Sequence, residues 1–174
     1  NPMAVENYEA TQGDKTSRVY MKNLYVSGTP QFAGTFGVRY FIDYWFLGAN
    51  LNAFGRNYID VAPARRMEGV YDSVDPTIPE QWNTYQTMTT QERIGSACTL
   101  DLSVGKIFYL RNRQSINFNL SVNNVLNKRD IRTGGYEQAR VFGSDGTLVN
   151  PLLFPNKYYY MQGINCFANI SYRF

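Results

Sequence analysis

The sequence predicts an all-β fold, an antiparallel segment of a transmembrane β-barrel, and three observations lead there. The last seventeen residues, Tyr158 to Phe174, alternate with period two, setting Tyr158, Tyr160, Gln162, Ile164, Cys166, Ala168, Ile170, Tyr172 and Phe174 against Gly163, Asn165, Asn169, Ser171 and Arg173. That periodicity marks a two-faced strand, and tyrosines at one end of the apolar face with Tyr-x-Phe at the other match the aromatic girdles of a membrane barrel. Aromatics make up 16% of the chain while apolar residues reach only 44%, so the rings exceed what a small core needs and belong on surfaces. No run approaches the roughly 18 apolar residues of a membrane helix, so any bilayer contact falls to strands.

Taken in order, residues 1–30 are polar and broken by Gly13-Asp14 and Gly28-Thr29-Pro30, which predicts a loop around the apolar patch Val19 to Val26. Strands are expected at about 31–42, with Phe36, Val38 and Tyr40 on one face, and at 45–56, with Trp45, Leu47, Ala49 and Leu51; Asp43-Tyr44 turns the two into a hairpin. A third strand is expected over 93–110, where Lys106 falls on the apolar face and can snorkel. Arg111 to Gln114 is a short turn into a fourth strand, 115–127, whose Ile116, Phe118, Leu120 and Val122 alternate with Asn117, Asn119, Ser121 and Asn123. Such a polar face is costly in a dry core and cheap beside a hydrated lumen. The fifth strand is 158–174.

Between these lie two long loops, 57–92 and 128–157, and all seven prolines fall outside the strands. Short turns alternating with long loops follow the outer-membrane pattern of periplasmic turns and extracellular loops, which places Phe174 at the periplasmic rim. The lipid-facing set is then Ile116, Phe118, Leu120, Val122, Ile164 and Ala168, with Ile170, Tyr172 and Phe174 as periplasmic girdle and assembly signal. In the first long loop, Tyr71, Trp82 and Tyr85 are candidate ligand or partner contacts, against the plainer reading that they pack the loop on itself.

Chemistry is narrowly bounded. Histidine is absent, which removes Ser-His and Cys-His nucleophile pairs and every histidine metal site. No catalytic residue, metal ligand or cofactor is expected, and the chain is not expected to be an enzyme. The net charge of +3 carries no dense basic stripe, and pairs such as Arg65-Arg66 and Lys128-Arg129 sit in loops, so nucleic acid is not an expected partner. Gly143 to Thr147 reads as a loop-tip turn, because no lysine or helix start follows to make a phosphate cradle. Asp101 is expected to bond neighbouring polar side chains rather than act as a catalytic carboxylate. Cys98 and Cys166 are expected to remain free, since the fourth strand separates theirs by nearly 10 Å at about 4.8 Å per strand. The opening Asn-Pro-Met has no apolar leader, the expectation for a mature N-terminus or a fragment.

Several phrases together carry a family resemblance. Asn23-Leu-Tyr-Val-Ser-Gly-Thr-Pro-Gln-Phe32 enters the first strand, Asn124-Val-Leu-Asn-Lys-Arg-Asp130 with Arg132-Thr-Gly-Gly135 follows the fourth, Phe154-Pro-Asn-Lys-Tyr-Tyr-Tyr-Met-Gln-Gly163 enters the last, and the chain ends Tyr-Arg-Phe174. It resembles the C-terminal end of a SusC/RagA-type TonB-dependent outer-membrane transporter. The resemblance implies part of a plugged barrel of about 22 strands, located in the bacterial outer membrane and surrounded by lipid, that imports a large nutrient, glycan or peptide. The partners it implies are the plug and remaining strands of the same transporter, a SusD-like surface lipoprotein, and the TonB system acting through the plug. The chain itself carries no plug domain. The alternatives are an autonomous small outer-membrane pore or barrel, or a soluble β-sandwich binding module.

Overall fold

The computed structural model describes residues 8–12, 15–143, 146–148 and 153–174. The chain divides into two compact units, one built from Phe32–Gly55, Gly95–Ile131 and Tyr160–Phe174, the other from the segment ending at Gln31 together with Arg56–Ile94 and Arg132–Tyr159. The fold is mostly antiparallel β-sheet with a few short helices, none of them long and apolar enough to cross a membrane.

Numbered along the chain, the strands are β1 (Tyr8–Gln12), β2 (Lys15–Val19), β3 (Phe32–Ile42), β4 (Trp45–Gly55), β5 (Asn57–Tyr58), β6 (Arg93–Ile94), β7 (Ala97–Tyr109), β8 (Ser115–Asn123), β9 (Arg132–Tyr136), β10 (Lys157–Tyr160) and β11 (Asn165–Arg173). The sheet unit is five strands in the order β11-β8-β7-β4-β3, every neighbour antiparallel. Its register lines up the period-two pattern of each strand. One row across the sheet reads Tyr40, Leu47, Val104, Leu120, Ala168, and the next reads Val38, Ala49, Leu102, Val122, Cys166. A one-residue slip would interleave Asn119 or Ser103 into these rows and mix polar side chains into the apolar face.

The hairpin between β3 and β4 turns on Asp43 and Tyr44, both at positive φ (45° and 65°), the geometry whose twist suits a two-residue hairpin. The β7–β8 connection, Arg111–Arg113, does the same with Asn112 at 66° and Arg113 at 62°. Both turns and the C-terminal end of β11 lie at one end of the sheet, because Trp45 pairs with Lys106 and Ser115 with Arg173.

Three expected strands are shorter than the alternation suggests. The third is interrupted at Gly95-Ser96, with β6 pairing β5 and β7 joining the large sheet. The fourth stops at Asn123, because Asn124 and Asn127 take positive φ (51° and 49°) and close a turn. The fifth is divided between Met161 and Ile164, so Ile164 precedes β11 rather than lying within it, and β10 pairs β9. At each break the alternation lapses, with Ser96, Asn124 and Gln162 polar where the apolar face is due, but a single polar residue on one face is not by itself a sign that a strand ends. Cys98 and Cys166 are free; β8 lies between their strands, and Cys166 stands level with Leu102.

The other unit corrects the expectation of irregular loops. Residues 8–12 and 15–19 form a hairpin, with Gly13-Asp14 outside the described residues. The stretch 57–92 contains a 3-10 turn at Pro63–Arg66 and two helices, α1 (Glu68–Asp72) and α2 (Pro79–Thr89). Helix α2 starts on Pro79, where the missing N–H is harmless, with Glu80 in its first turn complementing the dipole. Trp82, Tyr85 and Met88, three residues apart, supply its inward stripe. A small core of Val70, Met88 and Val141 forms, with Met67, Tyr85 and Leu148 packed against it. At the 143–147 tip, Gly143 N donates to Thr147 O at 2.9 Å and Gly146 takes φ 79°, a turn as expected; Ser144 and Asp145 lie outside the described residues, as does Pro151.

Candidate functional site

The sheet unit presents two contrasting faces. On the apolar one, the rows at the turn end carry Trp45, Lys106, Phe118 and Ile170, then Phe108, Ile116 and Tyr172, and beyond them Phe174. Further from the turns the rows become largely aliphatic. The Lys106 ammonium sits 4.4 Å from the Trp45 ring centroid and 5.1 Å from that of Phe108, so its charge is held by ring faces at the aromatic level. This face is uncovered: Phe36 and Ile170 are each 71% exposed and Phe174 is 94% exposed. Of the set expected to face lipid, Ile116, Phe118, Leu120, Val122 and Ala168 stand on β8 and β11 in mutual register, with Val122 opposite Cys166 and Phe118 opposite Ile170. Ile164, exposed and outside the ladder, is tied down by its N–H donating to Asn127 Oδ1 at 3.0 Å.

The opposite face carries Thr35, Asn50, Asn52, Thr99, Asp101, Ser103, Asn119, Ser121 and Asn169. Its hydrogen bonds run across strands: Thr35 Oγ1 donates to Asn52 Oδ1 at 2.9 Å, and Asn52 Nδ2 donates to Asp101 Oδ2 at 2.6 Å. The second Asp101 oxygen accepts the Asn124 N–H at 2.9 Å. Asp101 is therefore a structural acceptor, as the sequence suggested. Asn124 also donates through Nδ2 to the carbonyls of Lys128 and Gln162, which explains why asparagines bracket the turn 124–127.

In the other unit, Tyr71, Trp82 and Tyr85 come together. Trp82 stacks on Tyr85 with centroids 5.6 Å apart, and Tyr85 meets Tyr71 edge-on at 5.8 Å; Tyr20, missed in the sequence, extends the group at 6.0 Å from Tyr71. Burial raises the Tyr85 hydroxyl above its ordinary pKa, with Tyr71 adding to the effect. Tyr85 is thus part of the packed interior, while Tyr71 keeps an exposed edge.

Sequence reading also passed over the charged centre of this unit. Arg66 and Glu137 are buried and joined by two bonds of 2.6 and 2.8 Å, and Arg66 donates further to Thr89 O at 2.6 Å. Beside them a cavity of about 660 Å³ is lined by Arg65, Asn83, Gln86, Glu92, Asn156 and Tyr158, among others. Glu92 accepts from Asn156 Nδ2 at 2.8 Å and from the Tyr158 hydroxyl, and pairs with Arg132 at 3.5 Å. An adjacent Arg-Arg pair in a polar stretch gives no sign that both side chains are buried. No protein-family profile, curated protein or solved structure matches this chain.

Proposed function

We propose that the chain is part of the wall of a plugged outer-membrane β-barrel, an importer of large nutrients of the SusC/RagA TonB-dependent type, with its turns and Phe174 toward the periplasm. The observation that carries this reading is the uncovered apolar face of the five-stranded sheet, aliphatic in its middle rows and aromatic at the turn end, backed by a hydrogen-bonded polar face. On β4 that face runs from Trp45 to Ala53, roughly 27 Å at about 3.4 Å per residue, close to the ~25 Å apolar band of such barrels. A contiguous exposed apolar surface of this extent is rare on a soluble monomer, which weighs against the β-sandwich reading. In the proposal the plug and other strands complete the barrel, a SusD-like lipoprotein caps it, TonB drives it through the plug, and the segments 57–92 and 128–157 are extracellular. Glycan and peptide cargo are both compatible with it, and the chain performs no catalytic step.

The test is fractionation of cells producing the protein, with intact-mass measurement of what co-purifies. The expected result is a detergent-dependent species in the outer-membrane fraction carrying plug-bearing sequence. A chain that stays monodisperse and folded in detergent-free buffer would overturn the proposal.

A further inference from the structure

We propose that Arg65 anchors a pocket that binds the carboxylate of a ligand. Arg65 is 3% exposed, yet its Nε has no hydrogen-bond partner, and it lines the 660 Å³ cavity described above. Its neighbours are already matched: Arg66 holds Glu137, and Arg132 with Asn156 and Tyr158 satisfies Glu92. Among the described residues, the ion pairs of this unit leave Arg65 as the one buried guanidinium without a carboxylate. A buried charge without a partner is costly, and a guanidinium presents a planar fork of donors that fits a carboxylate with two parallel bonds.

The cost is visible in the guanidinium itself. Burial pushes Arg65 below its ordinary pKa; the attraction of Glu137, already held by Arg66, opposes this in part, and the like charge of Arg66 adds to it. An incoming carboxylate would remove the penalty.

Charge decides the class of anion. Arg65 supplies one uncompensated positive charge, and the Glu92 and Glu137 carboxylates beside it disfavour a second negative charge, so a monoanionic carboxylate fits better than a phosphate dianion. The side-chain amides of Asn83 and Gln86, one helical turn apart on α2, add donors and acceptors for the hydroxyls or amides that accompany such a group on an acidic sugar or a peptide. The site does not rest on the transport reading; a protein found in the soluble fraction would leave it standing.

The experiment is calorimetric titration of the intact, folded protein with two probes, trigalacturonate and an N-acetylated glutamyl tripeptide amide. Their neutral counterparts, galactotriose and the glutaminyl peptide, serve as controls. At least one acidic probe should bind, its neutral counterpart at least about tenfold more weakly, as expected for a charge-assisted pair; which probe binds tells the sugar source from the peptide source. Arg65→Met should abolish binding while leaving the ligand-free melting temperature unchanged or higher, because it removes an unpaired buried charge. Arg65→Lys, which keeps the charge and loses the fork, should bind more weakly than the parent. Failure of both acidic probes to bind, or an Arg65→Met affinity within twofold of the parent, would overturn the proposal, as would a melting temperature that drops with Arg65→Met and not with Arg65→Lys.

Discussion

Glu137 holds Arg66 with both carboxylate oxygens, Oε2 accepting from Nη1 at 2.6 Å and Oε1 from Nη2 at 2.8 Å, with the two side chains no more than 2% exposed. Oε2 also accepts the Ala62 N–H, so one carboxylate fixes both a side chain and the entry to the 3-10 turn. Removing one member of such a pair strands the other. Glu137→Leu or Arg66→Met alone should each destabilise the fold by about 3–5 kcal/mol, whereas the double variant should recover most of that loss. A double-mutant cycle by denaturant unfolding measures it, and strictly additive losses would refute the coupling.

The two faces of β8 should respond oppositely to charge. Leu120 stands in the aliphatic row with Val104 and Ala168, and Asn119 stands with Gly105 and Asn169. In a lipid-embedded barrel, Leu120→Arg should cost about 2–4 kcal/mol and Asn119→Arg much less. Unfolding from lipid vesicles gives both values, and equal losses would count against the proposed orientation.

Gly135 should tolerate no side chain. A Cβ there would fall on the Lys157 carbonyl oxygen and press the Ile59 side chain, while a Cβ on Gly69 would meet nothing within 4 Å. Gly135→Ala should therefore destabilise by about 1–3 kcal/mol through forced separation of β9 and β10. Gly69→Ala should be neutral or slightly stabilising, since alanine is the better helix former. Melting temperatures of the two variants make the comparison.

Phe174 is 94% exposed, its ring 6.2 Å from that of Tyr172. As part of an assembly signal it should matter more before folding than after. Deleting it should lower the amount inserted in cells while leaving the melting temperature of purified barrels nearly unchanged. Undiminished insertion would leave Phe174 as an interfacial anchor only.

The sheet was legible because its strands obey one period. Ile116, Phe118, Leu120 and Val122 alternate with polar residues so regularly that register and facing follow from spacing, and Lys106 fell on the apolar face as expected. The second unit was not. In α2 the stripe Trp82, Tyr85, Met88 has helical spacing and Pro79 marks its start, but three prolines and scattered acids around it suggested a loop, and threonines diluted the helical signal. Arg65 was opaque for another reason: the cavity it lines is shared with residues far along the chain, Glu137 and Asn156 among them, whose proximity no local pattern encodes.

Among the described residues, β3 and β11 each have a single neighbour in the large sheet, so each leaves one row of amide and carbonyl groups unpaired along its length. In water those rows are solvated, but in hydrocarbon each unsatisfied group costs several kcal/mol. Under the proposed reading, entry into the bilayer and completion of the hydrogen-bond ladder are therefore a single kinetic event. An intermediate that carried the apolar face into lipid with β3 and β11 still bare would lie too high in free energy to accumulate.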